Sequence, residues 1–491
     1  MVTEINPDAL AIAKELDEER ARGKLRGPLH GLPILIKNNI ATKDRMNNTA
    51  GSWSLRGAKV PRDSTVAAKL RKAGAIVLGK SNLSQWANNR SINSSNGWSA
   101  YGGQTYGAYY PNQDPSGSSS GSAVASSLGL AFGSLGTETD GSILSPSELN
   151  NIVGIKPTVG LTSRSLVIPF SEHQDSVGPM ARTVKDAAYI LQAIAGPDQY
   201  DNYTSAIPWA SNSTKYSVPD YVAACQFDAL RGKRIGVPSN AIGTRTPSSA
   251  NLYDAFEAAL IVLKNAGAII VENTNYTAYD AYLTSRARSI VLGADFGPNL
   301  AAYLAQLTYN PNNVTNLADI TKFTQTFSLE DYPNRDTVAF DVMLTLNFTN
   351  TSPEFWAAYQ EDLYLGGPGG ILGALDTYNL DAVVLPTSYS PSISAIIGAP
   401  VITVPMGAHL ANTTVEKSTR GLVESAPNIP FGLSFAGRKW SEKLLVGLGY
   451  AFEQRTMIRE KVKPYLTPSV EIEDVLGAKV QRKDMQDEVR A

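Results

Sequence analysis

The sequence predicts a single large α/β domain, and three observations lead there. A helix–glycine–strand unit occurs twice, as Leu70-Arg71-Lys72-Ala73-Gly74-Ala75-Ile76-Val77-Leu78 and, far downstream, as Leu263-Lys264-Asn265-Ala266-Gly267-Ala268-Ile269-Ile270-Val271. That grammar belongs to layered α/β proteins. Apolar runs of strand length recur at 234–237, 382–385, 401–404 and 432–435. No linker is long or polar enough to divide the 491 residues, so the soft rule of about 150 residues per domain is set aside. At 43% hydrophobic and 18% charged, the chain has material for a large core.

In chain order, Asn6-Pro7 reads as an N-cap followed by proline at the first helical position, with Gly23 as the stop. Leu10, Ala13 and Leu16 give that helix its apolar side. Residues 31–37, Gly-Leu-Pro-Ile-Leu-Ile-Lys, read as a short buried strand ending on a lysine. Asp63 or Ser64 caps a helix that ends at Gly74 and leads into a strand at 75–78. The run at 432–435 leads into a helix with Leu444, Leu445, Leu448 and Phe452 on one side. The charged tail, 471–491, is expected to be peripheral. Residues 116–145 stand apart: ten serines and six glycines among thirty residues, the composition of a flexible linker. Yet Val124, Leu128, Leu130, Phe132 and Leu135 fall at spacings suited to a packed helix and strand, so the segment is read as folded.

Composition excludes several classes of function. Forty-three basic against forty-five acidic residues give a net charge of −2, which argues against nucleic acid or an anionic membrane as partner. No apolar run approaches the ~18 residues needed to span a bilayer. A single cysteine, Cys225, excludes an intrachain disulfide and a Cys-based zinc cluster. His30, His173 and His409 are the only histidines, and none forms an HxxxH or HExxH pair. No metal and no cofactor are expected, and the catalytic base is expected not to be imidazole.

Three motifs compete for the chemistry. Gly74-Ala75-Ile76-Val77-Leu78-Gly79-Lys80-Ser81 matches the phosphate-loop pattern GxxxxGK[ST], but its four intervening residues are themselves the strand. Gly117-Ser118-Ser119-Ser120-Gly121 matches the GxSxG nucleophile elbow, which must follow a strand directly. Here Tyr110-Pro111-Asn112-Gln113-Asp114-Pro115 precedes it and reads as a turn, leaving only a weak Ser-Asp-His option through His409. The third candidate joins Lys37, Ser118 and Ser142, with Gly136-Thr137-Glu138-Thr139-Asp140-Gly141-Ser142 as a Gly-rich turn whose amides can converge on an oxyanion.

That third set resembles the amidase signature family, serine hydrolases that use a Ser-Ser-Lys triad. The likeness is carried by 117–123, by 136–143, by Gly154-Ile155-Lys156-Pro157-Thr158-Val159-Gly160 and by Asp175-Ser176-Val177-Gly178-Pro179-Met180-Ala181-Arg182-Thr183. The lysine strand and Pro430-Phe431-Gly432-Leu433 extend it over about residues 6–465. Within the family the chain looks most similar to peptide amidases and their fungal and bacterial relatives. The resemblance implies a single α/β/α domain over 1–491, with a central mixed, mostly parallel sheet covered by helices and a signature core at about 31–185. It implies Ser142 as nucleophile, Ser118 as a bridging serine preceded by a cis peptide bond, and Lys37 as general base. It implies an oxyanion hole from the backbone amides of Thr139, Asp140, Gly141 and Ser142, with Thr137, Ser119 and Asp175 in support.

The residue types suit the chemistry. An amide carbonyl is a poor electrophile, so the attacking serine must lose its proton as it attacks. A lysine takes that proton near neutrality only when burial pulls its pKa well below about 10.4. Three departures from the family stand out: Asn38 where Asp is usual, and Ser120 and Asp140 where many members have glycine. Relatives also usually carry several dozen more residues in front of the helix near Asn6.

The leading expectation is therefore hydrolysis of linear amides, C-terminal peptide amides or other small carboxamides, through an acyl-enzyme. The alternatives are the glutaminase subunit of a tRNA-dependent amidotransferase and a non-hydrolytic, ligand-binding descendant. The acyl pocket is expected from loops within 290–440, chiefly 364–372 and 388–398. A monomer or homodimer is expected, with a small-molecule or peptide amide as the only partner. Eleven of thirty-one asparagines lie in N-x-[ST] sequons, which points to a fungal secretory history, with the cytoplasm as the alternative.

Overall fold

The computed structural model describes residues 1–209, 218–246, 249–469 and 471–472. Eleven strands form one continuous sheet: β1 (Val2–Ile5), β2 (Pro33–Lys37), β3 (Ile76–Ser81), β4 (Gly133–Glu138), β5 (Val153–Lys156), β6 (Ser176–Ala181), β7 (Arg234–Val237), β8 (Ile269–Glu272), β9 (Ala382–Pro386), β10 (Val401–Ala408) and β11 (Pro430–Ala436). Their spatial order is β1-β3-β2-β4-β6-β5-β10-β11-β9-β7-β8. The sheet is mixed. Its two flanks, β3-β2-β4 and β9-β7-β8, pair in parallel, and the middle pairs antiparallel. Helices cover both faces, as the single-domain α/β expectation requires.

Strand alternation sets where the chemistry lies. Ile34 and Ile36 of β2 point into the main core with Val66, Leu70 and Val184. Leu35 points the other way, against Ala125 and Ala131. With a side-chain period of two, Lys37 shares the side of Leu35, the one covered by the helix Ser120–Ser127. That helix lies unusually close to the sheet. A Cβ on Gly121 would stand 2.2 Å from the Met1 carbonyl and 2.5 Å from Asn82 N, so only glycine fits. All eight residues of the helix are buried, so the Ser/Gly-rich stretch is a packed layer rather than a linker.

Several expected boundaries move. The first helix spans Ala9–Ala21 and buries Ala9 and Leu16, while Leu10 is exposed. Asn6 does not cap it. Its Oδ1 accepts from Asp8 N, and its Nδ2 donates to the Val77 carbonyl, which ties the chain to β3. Strand β1, ahead of Asn6, pairs antiparallel with β3, a strand no sequence pattern announced. Ser64 rather than Asp63 caps the helix Thr65–Lys72, and Asp63 accepts from Lys43 N instead. Of the charged tail, only 471–472 fall within the described residues.

A layer of helices (Ala287–Leu304, Leu317–Thr326, Val338–Leu344, Pro353–Gly366) packs over the site end of the sheet. Phe296, Leu300 and Phe340 join Trp86, Ile168 and Phe170 in one apolar cluster. A fully buried ion pair also anchors this layer: Arg90 Nη1 lies 3.1 Å from Glu330 Oε2. Glu330 further accepts from Ser52 Oγ, Trp53 N and Gln85 Nε2, so its charge is well compensated. Among the described residues no helix is long and apolar enough to cross a membrane.

Candidate active site

Lys37, the last residue of β2, is completely buried. Its Nζ lies 2.7 Å from Ser118 Oγ, 2.9 Å from Thr137 Oγ1 and 3.1 Å from the Thr137 carbonyl. Burial pulls its pKa down to about 7, although the carboxylates of Asp175 and Glu138 pull the other way. The geometry suits a neutral amine. Two N–H bonds can go to the two Thr137 oxygens, which leaves the lone pair for the Ser118 hydroxyl.

Ser118 follows a cis peptide bond from Gly117, and its carbonyl accepts from Ser84 N. Ser119 joins the two serine-bearing segments. Its N–H donates to the Ser142 carbonyl at 3.1 Å, and its hydroxyl donates to the Thr137 carbonyl at 3.1 Å. The central serine of the GxSxG pattern is therefore consumed in support. His409 sits beside Asn251 and Phe431, so the elbow reading fails. Residues 76–81 form β3 itself, and Lys80 is buried with its Nζ on the Ile40 carbonyl and Asn48 Oδ1, so the phosphate-loop reading fails too.

The turn after β4 carries Ser142, which keeps 8% exposure. Gly141 adopts φ +78°, the left-handed region that suits glycine. Glu138 Oε2 accepts from Ile143 N at 2.7 Å and Leu144 N at 2.9 Å, which pins the backbone just beyond Ser142. Among the described residues, the N–H groups of Asp140, Gly141 and Ser142 make no hydrogen bond. Thr139 turns its hydroxyl to Asp175 Oδ1 at 2.6 Å, and Asp175 Oδ2 accepts from Phe170 N and Ser171 N. Burial raises the Asp175 carboxyl to about 6. The Asp140 side chain turns outward, pairing with Arg288 and accepting from Ser392 Oγ at 3.0 Å.

A narrow pocket with about 20 Å3 of free space opens beside this network, with Asn39, Thr137, Thr139 and Asp175 on its polar side and Trp86, Val167, Ile168 and Phe170 on its apolar side. Its lining comes from residues 39–177, outside the 290–440 loops expected to form the pocket. Leu365, Ile371, Ile393, Ile396 and Ile397, from the two loops singled out, pack together in a hydrophobic cluster. Asn39 Nδ2, which donates to Thr137 Oγ1, carried no signal in the sequence. The fold also gathers Glu172, His173 and Asp295 within 4.8 Å, though the histidines look scattered along the chain.

The family model named Amidase matches residues 1–446. The chain belongs to the amidase family, the amidase signature enzymes. An Arthroderma benhamiae protein named "Putative amidase" is 57% identical, over 97% of this chain and 79% of its own length. The native peptide amidase of Stenotrophomonas maltophilia is 39% identical, with a TM-score of 0.82 over 95% of this chain and 91% of that one. A glutamyl-tRNA(Gln) amidotransferase component from Geobacillus stearothermophilus is more distant, at 31% identity over 93% of this chain and 90% of its own. This amidase is thus an amide hydrolase with the family's single α/β domain, and the resemblance read from its motifs holds.

Proposed function

We propose that this amidase hydrolyses linear carboxamides through an acyl-enzyme on Ser142, with Ser118 and Lys37 as the proton relay. The 2.7 Å contact between a fully buried Lys37 and Ser118 carries this reading. Ser142 Oγ attacks the carbonyl carbon. Its proton passes to Ser118 Oγ while the Ser118 proton passes to neutral Lys37. The carbonyl π pair moves onto oxygen, where the unengaged amides of the 139–142 turn receive it. Each such donor is typically worth about 3–4 kcal/mol. On collapse the C–N bond breaks, and the leaving nitrogen takes the proton back through Ser118. Water then attacks the ester by the same relay, releasing the acid and restoring Ser142.

Peptide amides are the substrate class best supported, by the likeness to a peptide amidase and by a pocket with one apolar and one polar side. Labelling with a fluorophosphonate, with Ser142→Ala as control, tests the nucleophile. Ammonia release from peptide, aryl and short aliphatic amides tests the substrate class. A wild-type enzyme that resists the probe and releases no ammonia would favour the non-hydrolytic alternative, and co-purifying partner proteins would favour the amidotransferase role. We also infer passage through a secretory pathway. Asn93, Asn202, Asn275, Asn313, Asn347 and Asn412 are exposed within their sequons, whereas Asn82 is buried. Unglycosylated full-length protein found only in cytosol removes that inference.

A further inference from the structure

Behind the Asp140 side chain lies a second, partly open pocket with about 210 Å3 of free space, between the helices Tyr279–Thr284, Ala287–Leu304 and Pro353–Gly366. Tyr282, Ser285, Arg288, Ser289, Asp362 and Leu365 line it. Asp362 is 1% exposed, yet its Oδ2 has no hydrogen-bond partner. A buried carboxyl oxygen without a hydrogen-bond partner costs free energy that folding does not recover, so its retention needs a reason. Arg288 lies near enough for its charge to favour an ionised Asp362, but it donates no hydrogen bond to that carboxyl. Its guanidinium pairs with Asp140, and no ion pair forms between Arg288 and Asp362.

Charge counting sharpens the point. Arg288 is offset by Asp140, which leaves Asp362 and its neighbour Glu361 as net negative groups at the pocket. Glu361 is occupied, since it accepts from Ser285 Oγ at 2.7 Å. Asp362 is not. Arg288 Nε is likewise buried without a partner and offers a donor to the same space. The unmet needs are therefore one acceptor that wants a cation or donor, and one donor that wants an oxygen. An amino-terminal residue, with an ammonium beside its own carbonyl, meets both.

The pocket is joined to the chemistry through Asp140. Arg288 pairs with Asp140, two residues before Ser142, and Ser392 Oγ donates to Asp140 as well. We propose that this pocket is a substrate subsite for the free amino terminus of a short peptide amide, with Asp362 holding the ammonium and Arg288 Nε the adjacent carbonyl oxygen. The proposal rests on the triad reading given above, and it adds a subsite for the amino end of the peptide amide. Burial raises the Asp362 carboxyl to about 7 against the opposing charge of Arg288, so an arriving ammonium would bring a carboxyl poised near neutrality into its ionised form.

The test compares kcat/KM for a dipeptide amide with a free amino terminus and for its N-acetyl analogue. The wild-type enzyme should favour the free amine by about tenfold or more, the scale of one charge-assisted hydrogen bond. Asp362→Asn should bring the ratio towards one, mainly through KM. Glu354→Gln, at an exposed position of the same helix, should keep the wild-type ratio. Equal rates for the two substrates in the wild-type enzyme would overturn the proposal, and this holds even if Asp362→Asn does not fold. An Asp362→Asn enzyme with the wild-type preference would overturn it as well. Hydrolysis by Ser142→Ala would sink the triad reading instead, so the two failures are distinguishable.

Discussion

Asn38 Oδ1 accepts two hydrogen bonds from Thr49, at 3.0 Å from its N–H and 2.5 Å from its hydroxyl. The Asn38 carbonyl accepts from Thr49 N and Ala50 N as well. The residue after Lys37 therefore fastens the loop behind the strand, and its side chain is directed away from the lysine's partners. A carboxylate at 38 could accept the same Thr49 bonds, which gives the family's usual Asp a structural role.

It also sets a limit on electrostatic tuning. Asn38→Asp places a negative charge near Lys37, favours the protonated lysine and raises its pKa. The acid limb of the rate profile should move upward by less than about one pH unit, with most of the maximal rate kept. A limb that stays put or moves down in the folded variant would leave position 38 with the structural role alone.

For the parent enzyme, the sign of the pH dependence follows from Lys37. Its folded pKa lies near 7, so below that value it carries the proton it must be free to accept. The profile of kcat/KM should rise through about pH 7. Lys37→Arg, always protonated, should be inactive across the whole range. Recovery of Lys37→Arg at high pH would assign the base elsewhere, with His173 next in line.

The serines should separate by experiment. Ser142→Ala should lower turnover by at least about 10^3-fold and abolish covalent labelling. Ser118→Ala keeps the nucleophile but breaks the relay, so slow labelling by a reactive phosphonate should survive while amide turnover falls to a similar degree. Equal labelling rates in Ser118→Ala and wild type would remove Ser118 from the relay.

Gly141→Ala tests the turn. Its φ of +78° and a Cβ contact 2.9 Å from Ser145 Oγ both oppose a side chain. The strain alone is on the order of 1–2 kcal/mol. If the turn relaxes by shifting the amides at 140–142, kcat should fall more than KM changes. An alanine variant with unchanged kcat would show that the amides do not need this backbone.

Glu148 gives a prediction about stability. It is buried with a carboxyl pushed up from the ordinary 4.5 to about 8, and Gly432 N donates to it at 3.3 Å. The folded protein holds this proton between those two values and the unfolded chain does not, so stability declines as pH rises from about 4.5 to 8. Glu148→Gln has no proton to lose, and the fall in Tm between pH 5 and pH 8 should be smaller. An unaltered fall would place that pH dependence on other buried acids.

Local signals were legible where backbone geometry and apolar spacing agree. The Gly74 and Gly267 turns, the strands that follow them and the closing helix with Leu445, Leu448 and Phe452 were all readable in this way. Strand β1 escaped because its four residues show no alternation of buried and exposed positions. At the site, Lys37 was visible as a lysine ending a buried strand, but its role came from the family motif rather than from spacing. Glu138, Asn39, Arg288 and Asp362 stayed hidden for a different reason. The partners of the first three are backbone amides, or side chains brought close only by the fold, as with Arg288, 148 positions from Asp140. The burial of Asp362 without a partner for Oδ2 is likewise a product of the fold.

The helical layer packed over the site end of the sheet has a consequence for how this enzyme can change. Every side chain proposed for bond-breaking lies between residues 37 and 142, while the amine-accepting pocket is lined by residues from 282 to 365. The chemistry and the proposed recognition of the amino end are thus written in separate stretches of the gene, while the pocket beside the triad belongs to the first of them. A library randomised only over the later stretch, sparing Arg288 and the Glu330 anchor, should yield variants that differ in what they accept and share one pH profile. Recombination between relatives at a crossover near residue 200 would exchange the preference at the amino end without rebuilding the reaction.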